Sequence, residues 1–196
     1  MKAGITLKTS TPQMTHHTFE PLWRTRKMLI TDSVPSELAP WLFDEGSLTR
    51  RIIQNCNRAF RVEILSQDWQ RPMLNEAKRL GVHPEHRALI REVLLYCGDT
   101  PWVFARSVIP GKTLTGPRRF LGKLDNRPLG AVLFSDPGIS RDALEVAQIH
   151  PGQRMFSCAT QRLSTSPDAL WGRRSVFYLK KKPLLVNEIF LPSLSQ

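Results

Sequence analysis

The stretch that most constrains this chain is Leu89–Pro110, LIREVLLYCGDTPWVFARSVIP. Two β-rich runs, Leu89–Tyr96 and Trp102–Ile109, flank the break Cys97-Gly98-Asp99-Thr100-Pro101. A Gly-containing break between two such runs is a hairpin signal. With Gly98-Asp99 as a two-residue turn, Cys97 faces Thr100, and an uninterrupted ladder then sets Arg91 directly opposite Arg106. Like charges facing each other across two strands destabilise a sheet. One reading is that the pair holds an anion, for which a small dicarboxylate is suited. The other is that each arginine reaches solvent or a local carboxylate, Glu92 being the nearest. Both depend on register, since a slip of one residue moves a side chain to the other face.

At 196 residues the chain is read as one domain over 1–196, large enough to bury a core without metals or disulfides. Its 41% hydrophobic and 23% charged residues are ordinary for a globular protein. Cys56, Cys97 and Cys158 are odd in number and lack paired spacing, which predicts free thiols, no zinc site and a reducing cytoplasm. The N-terminus has no apolar run of signal-peptide length. No segment approaches the about 18 consecutive apolar residues of a membrane span. Residues 1–18, polar and rich in Thr and Ser, are read as a flexible tail. The net charge of +11 favours anionic partners. The basic residues are nevertheless dispersed, at Arg24–Lys27, Arg118-Arg119, Arg173-Arg174 and Lys180–Lys182. Without an interleaved pattern of aromatic and basic residues, they read mainly as solvated surface rather than a nucleic-acid platform.

Ser36–Asp44 and Ser47–Cys56 read as two short helices, with Ser47 as N-cap of the second and Gly46 as the break between them. A DNA-binding helix-turn-helix is disfavoured because Phe60–Leu65 alternates like a strand, leaving no third helix. The pair is expected to pack on a sheet or cover a site. Asn57–Ser66 is the first expected strand, and Pro72–Gly81 has weak helical character. Gly111–Gly122 reads as loop with a helical turn at Arg118–Leu121, and Ala131–Phe134 as a short helix. Arg141–His150 reads as a strand and Pro151–Pro167 as an exposed loop. Gly172–Lys180 and Leu184–Leu191 form a second hairpin through Lys180–Pro183. These elements give an α+β fold with about six mostly antiparallel strands.

No glycine-rich phosphate loop, GxGxxG, HExxH or GxSxG occurs. His83 and His86 have a metal-compatible spacing, but Pro84 lies between them and no cysteine or carboxylate cluster supports a site. In the last strand Leu184, Val186, Glu188 and Phe190 share one face. A lone carboxylate there is costly to bury unless paired, so Glu188 either ends in water or faces a polar cavity.

Six pieces, in this order and spacing, resemble the chorismate lyase family: LIREVLL at Leu89–Leu95, PWVFARSVIP at Pro101–Pro110, LTGP at Leu114–Pro117, RPLGAVLF at Arg127–Phe134, LWGRRS at Leu170–Ser175, and PLLVNEIFLP at Pro183–Pro192. The resemblance runs from about Trp41 to Pro192; the first 40 residues match poorly, and Pro151–Pro167 is longer than the family needs. It implies a six-stranded, mostly antiparallel sheet with helices packed on one side and flaps over a buried site. It also implies conversion of chorismate to 4-hydroxybenzoate and pyruvate, the first step of bacterial ubiquinone synthesis, with no metal or organic cofactor. From the charge, hydropathy and cysteine readings above, the chain is expected to be a cytoplasmic monomer with no nucleic-acid partner and no stable membrane insertion. By position, the family's carboxylate-binding arginine falls on Arg91 and its polar-end glutamate on Glu188. A site-lining leucine falls on Leu129, a flap position, commonly methionine, on Leu48, and a second site arginine on Arg106.

These residue types suit a substrate with two carboxylates, because a guanidinium binds a carboxylate bidentately and stays charged. Loss of the C3 enolpyruvyl group and the C4 hydrogen makes the ring aromatic, so orientation is the enzyme's main task. Glu188 is placed to hydrogen-bond the C4 hydroxyl; whether it also takes a proton, or the hydrogen moves internally, stays open. The same fold resembles the effector-binding domain of bacterial transcription regulators, but those carry a winged helix ahead of the sheet, where this chain has two short helices.

Overall fold

A computed structural model describes residues 19–29 and 34–195, and the tail expected over 1–18 lies outside the described residues. The central hairpin is Ala88–Cys97 (β3) and Thr100–Pro110 (β4), turning at Gly98-Asp99 with Cys97 opposite Thr100 and Tyr96 opposite Pro101. Gly98 is left-handed, φ +60°, as a glycine turn position allows. One step further the register shifts. Leu95 pairs with Val103, leaving Trp102 as an extra residue on β4. Such a bulge sends every later side chain of its strand to the face opposite the one an unbroken ladder predicts. Arg91 consequently faces Ser107, and Arg106 faces Glu92. The expected Arg91–Arg106 pair does not exist, because the two side chains leave opposite faces of the sheet. The Trp102 ring meets Trp41 edge-on at 6.3 Å, a contact from outside the hairpin that supports the bulged register.

Around this hairpin lie Arg24–Thr25 (β1), Phe60–Gln70 (β2), Ile139–Arg141 (β5), Glu145–Ile149 (β6), Leu170–Leu179 (β7) and Lys182–Phe190 (β8). Among the described residues they form one eight-stranded antiparallel sheet in the order β1-β6-β7-β8-β4-β3-β2, with β5 also pairing with β7. The count of six missed two- and three-residue strands too short to carry a pattern, and the strand expected over Arg141–His150 is divided between β5 and β6. At the β7–β8 turn, Lys180 and Lys181 both have positive φ, 47° and 69°, the requirement of a two-residue hairpin turn whose twist matches its strands. That turn sets Arg173 opposite Glu188.

The helices are Ala39–Leu42 (α1), Leu48–Asn55 (α2), Leu74–Leu80 (α3), Leu129–Ser135 (α4) and Arg154–Thr160 (α5), with 3₁₀ turns that include Gly116–Lys123. Ser47 caps α2 through its hydroxyl and the Arg50 N–H, as its position predicts. Leu42, Leu48 and Ile52 pack with Val93, Leu95 and Val103, while Leu129 and Leu133 pack with Leu89, Ile109 and Phe177. On the other face, Met155, Phe156 and Ala159 pack with Leu94, Tyr96 and Phe104, and Leu80 packs with Ile90 and Val108. Helices therefore cover both faces, not one. This is why β3 is buried at all ten positions and reads as a continuous apolar run rather than an alternation. The loop expected over Pro151–Pro167 contains α5, whose Met155 is fully buried.

The cysteines also depart from expectation. Cys56, at the end of α2, and Cys97, at the end of β3, form a disulfide with Cα atoms 5.6 Å apart, leaving Cys158 free. The argument from three free thiols to a reducing cytoplasm therefore falls. A cross-link between residues 41 apart in sequence restricts the unfolded chain and typically stabilises by about 2–4 kcal/mol. The double variant Cys56→Ser/Cys97→Ser should melt below the unreduced wild type, and a reductant should bring the wild type down to it. Coincident melting of all three would show that the bridge contributes nothing. No helix among the described residues is long and apolar enough to cross a membrane.

Candidate active site

Alternation along β3, β4 and β8 brings one set of side chains to the face under α2 and α4. Arg91, Val93 and Leu95 of β3, Ala105 and Ser107 of β4, and Val186 and Glu188 of β8 line a cavity there, with Phe177 of β7 at its side. Its cover is Pro128–Gly130, Leu133 and Phe134 from α4 and its N-cap, together with Thr49 of α2. The space between these atoms is about 470 Å³, part of it open to solvent. The hollow has a simple cause: the central strand contributes the small side chains Ala105 and Ser107 where its neighbours contribute large ones. At Gly130 a Cβ would stand 3.2 Å from the Thr49 hydroxyl, so a glycine there lets α4 approach α2.

Arg91 is 2% exposed. Its Nη2 donates to the carbonyls of Asp125 (2.8 Å) and Arg127 (3.2 Å), and its buried Nε has no partner among the described residues. Among the described residues no carboxylate lies within ion-pair distance of it. Burial lowers its pKa, and the charge of Asp125 only partly offsets this. A buried cation without a counter-ion is costly. Arg91 also lines the cavity.

Glu188 stands on the same face, two strands from Arg91 and offset by two residues along the ladder. Strand spacing and rise put the two Cα atoms about 12 Å apart, the scale at which two extended side chains bracket a single ring. Glu188 is held by Arg173, whose Nε donates to its Oε2 at 2.6 Å. Arg173 is itself 1% exposed, and its Nη1 donates to the carbonyls of Trp41 and Asp44. It thus ties the α1–α2 segment to the sheet while pairing the carboxylate. Glu188 is therefore neither a sheet-end residue in water nor unpaired. Arg173 and Arg174, read from the sequence as solvated charge, are both buried. The signal that would have found the Arg173–Glu188 pair is the two-residue turn at Lys180-Lys181, which fixes that register.

Leu129, the first residue of α4, lines the cavity. Leu48, the first residue of α2, is 2% exposed and packs against the floor, but the side chain of α2 among the lining residues is that of its neighbour Thr49. Arg106 is on the opposite face and does not line the cavity. Its Nε and Nη2 donate to both oxygens of Glu76 (2.9 and 3.1 Å), and its Nη1 donates to Glu92 at 2.6 Å. Asn187 and the Met73 N–H also donate to Glu76. Burial acts to lower the Arg106 pKa, yet Glu76 and Glu92 outweigh it and hold it above its ordinary value. This is an internal ion cluster on the far face of the sheet, in which Arg106 is already paired with two carboxylates.

A sequence profile described as chorismate lyase matches residues 20–196. The chain belongs to the chorismate lyase family. The chorismate lyase match begins some twenty residues before the expected Trp41. Relatives named probable chorismate pyruvate-lyase include one from Nitrosomonas europaea, 41% identical over 162 residues, covering 83% of this chain and 90% of that protein. Another, from Pseudomonas aeruginosa, is 42% identical over 162 residues, covering 83% and 87%. The C-terminal domain of the histidine utilization repressor from Pseudomonas syringae pv. tomato superposes with a TM-score of 0.54 at 11% identity, over 69% of this chain and 93% of that one. That likeness speaks for the fold alone, so a regulator's effector-binding domain is not the favoured reading of this chorismate lyase family member.

Proposed function

We propose that this chain eliminates pyruvate from chorismate to give 4-hydroxybenzoate, in a site formed by a single chain acting as a monomer. The observation that carries the reading is the buried Arg91 guanidinium, without an ion-pair partner among the described residues, which lines the same cavity as the Arg173-held Glu188 across the Ala105–Ser107 floor. Arg91 takes the ring carboxylate of chorismate, and Glu188 accepts the hydrogen bond of the C4 hydroxyl. Both groups survive in 4-hydroxybenzoate. In the reaction the C3–O bond breaks and its electron pair leaves with the enolpyruvyl oxygen. The C4–H pair becomes a ring double bond, and that hydrogen, as a proton, completes the methyl group of pyruvate. Aromatisation supplies the driving force, so the site has chiefly to hold the reactive conformer and exclude water.

The α2 N-terminus and α4 serve as the flaps of this reading, with Leu48 anchoring one to the floor and Leu129 contacting ligand from the other. In support, the cavity and a second groove between α2 and α4 share Thr49 and Phe134, and in this reading the substrate enters along that seam.

The direct test mixes purified protein with chorismate and follows the ultraviolet band of 4-hydroxybenzoate together with pyruvate release. Absence of both products from folded protein overturns the proposal. A covered site that recognises groups shared by substrate and product should also release product slowly. Initial rates should therefore fall when 4-hydroxybenzoate is added at concentrations matching the substrate. Equal rates with and without it would contradict a covered site that grips both ends of the ring.

A further inference from the structure

Arg91 accounts for one of the two carboxylates of chorismate, and a second arginine on the same face has donors to spare. Arg141 lies on β5 opposite Phe177 of β7, so its side chain shares the cavity face. Its guanidinium stands 5.2 Å from the Phe177 ring and 5.7 Å from the Phe134 ring, both of which line the cavity. One nitrogen donates to the Glu45 carbonyl at 2.7 Å, while Nε is buried with no partner among the described residues. Among the described residues Arg141 makes no ion pair within 4.0 Å. The charged groups that act on it are Glu188, Arg173, Glu45 and Asp44, and burial lowers its pKa despite the carboxylates among them. Arg173, by contrast, is already ion-paired with Glu188 and donates to two carbonyls.

The sheet order places β3 and β5 on opposite flanks of the floor, with β4, β8 and β7 between. Arg91 thus stands on one flank of the cavity and Arg141 on the other, against the Phe177 and Phe134 rings that line it, with Glu188 two strands from each and its charge acting on Arg141. In chorismate the enolpyruvyl group on C3 adjoins the C4 hydroxyl. A ring held with its carboxylate on Arg91 and its hydroxyl on Glu188 carries the second carboxylate towards the Arg141 flank. We infer that Arg141 binds the enolpyruvyl carboxylate and steadies the departing enolpyruvate, an assignment that rests on the lyase reading above. A guanidinium aimed at the leaving group also favours the charge that gathers on its ether oxygen as the C3–O bond breaks.

The consequence is a division of labour that product can report. 4-Hydroxybenzoate lacks the enolpyruvyl group, so Arg141 should matter to substrate and not to product. For the full chain, Arg141→Met is expected to lower kcat/KM for chorismate by about tenfold or more. The Kd of 4-hydroxybenzoate, measured by titration calorimetry, should stay within about twofold of wild type. Arg141→Lys, which keeps charge without the planar fork, should recover part of the loss, and it serves as the test if the methionine variant does not fold. Unchanged kcat/KM in a folded variant overturns the assignment, and so does an equal loss of affinity for 4-hydroxybenzoate, which would mark Arg141 as a support of the cavity wall. A wild type that binds 4-hydroxybenzoate but does not turn over chorismate defeats the lyase reading itself, an outcome separate from any effect of the variants.

Discussion

Replacing Arg91 by alanine is expected to lower kcat/KM for chorismate by at least about 10–100-fold, because a charge-assisted hydrogen bond contributes about 1.5–3 kcal/mol and each 1.4 kcal/mol is tenfold. The loss is larger if the ligand carboxylate is left desolvated. Unlike Arg141→Met, Arg91→Ala should weaken 4-hydroxybenzoate as well, since the ring carboxylate remains in the product. Thermal stability without ligand should barely change or should rise. The cause is not relief of repulsion with Arg106, which projects from the other face. It is removal of a buried cation whose contacts among the described residues are two carbonyls rather than a carboxylate. Arg91→Lys should rescue only partly, as an ammonium does not reproduce a planar two-point contact. Turnover measured beside melting decides the matter. If Arg91→Ala unfolds the empty protein while its folded remainder keeps wild-type kcat/KM, Arg91 is structural and the carboxylate clamp is wrong.

Arg106→Met should behave in the opposite way. Glu76 is 0% exposed and takes a guanidinium N–H of Arg106, its ion-pair partner, on each of its oxygens. Breaking a buried ion pair from one side leaves a charge without compensation and costs about 3–5 kcal/mol. For a chain of this size that corresponds to a fall in Tm of about 6–20 °C. Adding Glu76→Gln should return part of the loss, because the stranded charge goes with it. The kcat/KM of the folded fraction should stay near wild type, since the cluster lies beneath the floor and not in the cavity. A variant with wild-type Tm and much reduced kcat/KM would return Arg106 to the site, where the family resemblance had put it.

Arg91 and Arg106 show where sequence reasoning stopped. Both stand in one hairpin, and the turn between them, with Cys97 opposite Thr100, follows from Gly98-Asp99 alone. Counting outward from that turn paired the two arginines, and the single extra residue Trp102 undid the count. Nothing within the hairpin announces the bulge; the ring of Trp41, some sixty positions earlier, meets Trp102 across the fold. Glu188 was legible in a different sense. Its place among apolar strand positions demanded a partner, but naming Arg173 required the turn at Lys180-Lys181, where two lysines adopt a conformation that composition does not favour.

The sequence by itself determined what local chemistry decides: the central hairpin and its turn, the Ser47 cap that starts α2, and the antiparallel β-rich core; the family resemblance also singled out Arg91, Glu188 and Leu129, which the structure brings to one cavity. The tertiary structure alone decided the facing of Arg106, the Arg173–Glu188 pair, the Cys56–Cys97 bridge, the position of Arg141, and α5, a seven-residue helix too short to be stable outside its packed setting. The physical reason is range. Caps and turns act within a few residues, whereas Arg173 finds the Trp41 carbonyl across 132 positions of chain, and a contact at that separation exists only once burial of both sheet faces has brought its ends together.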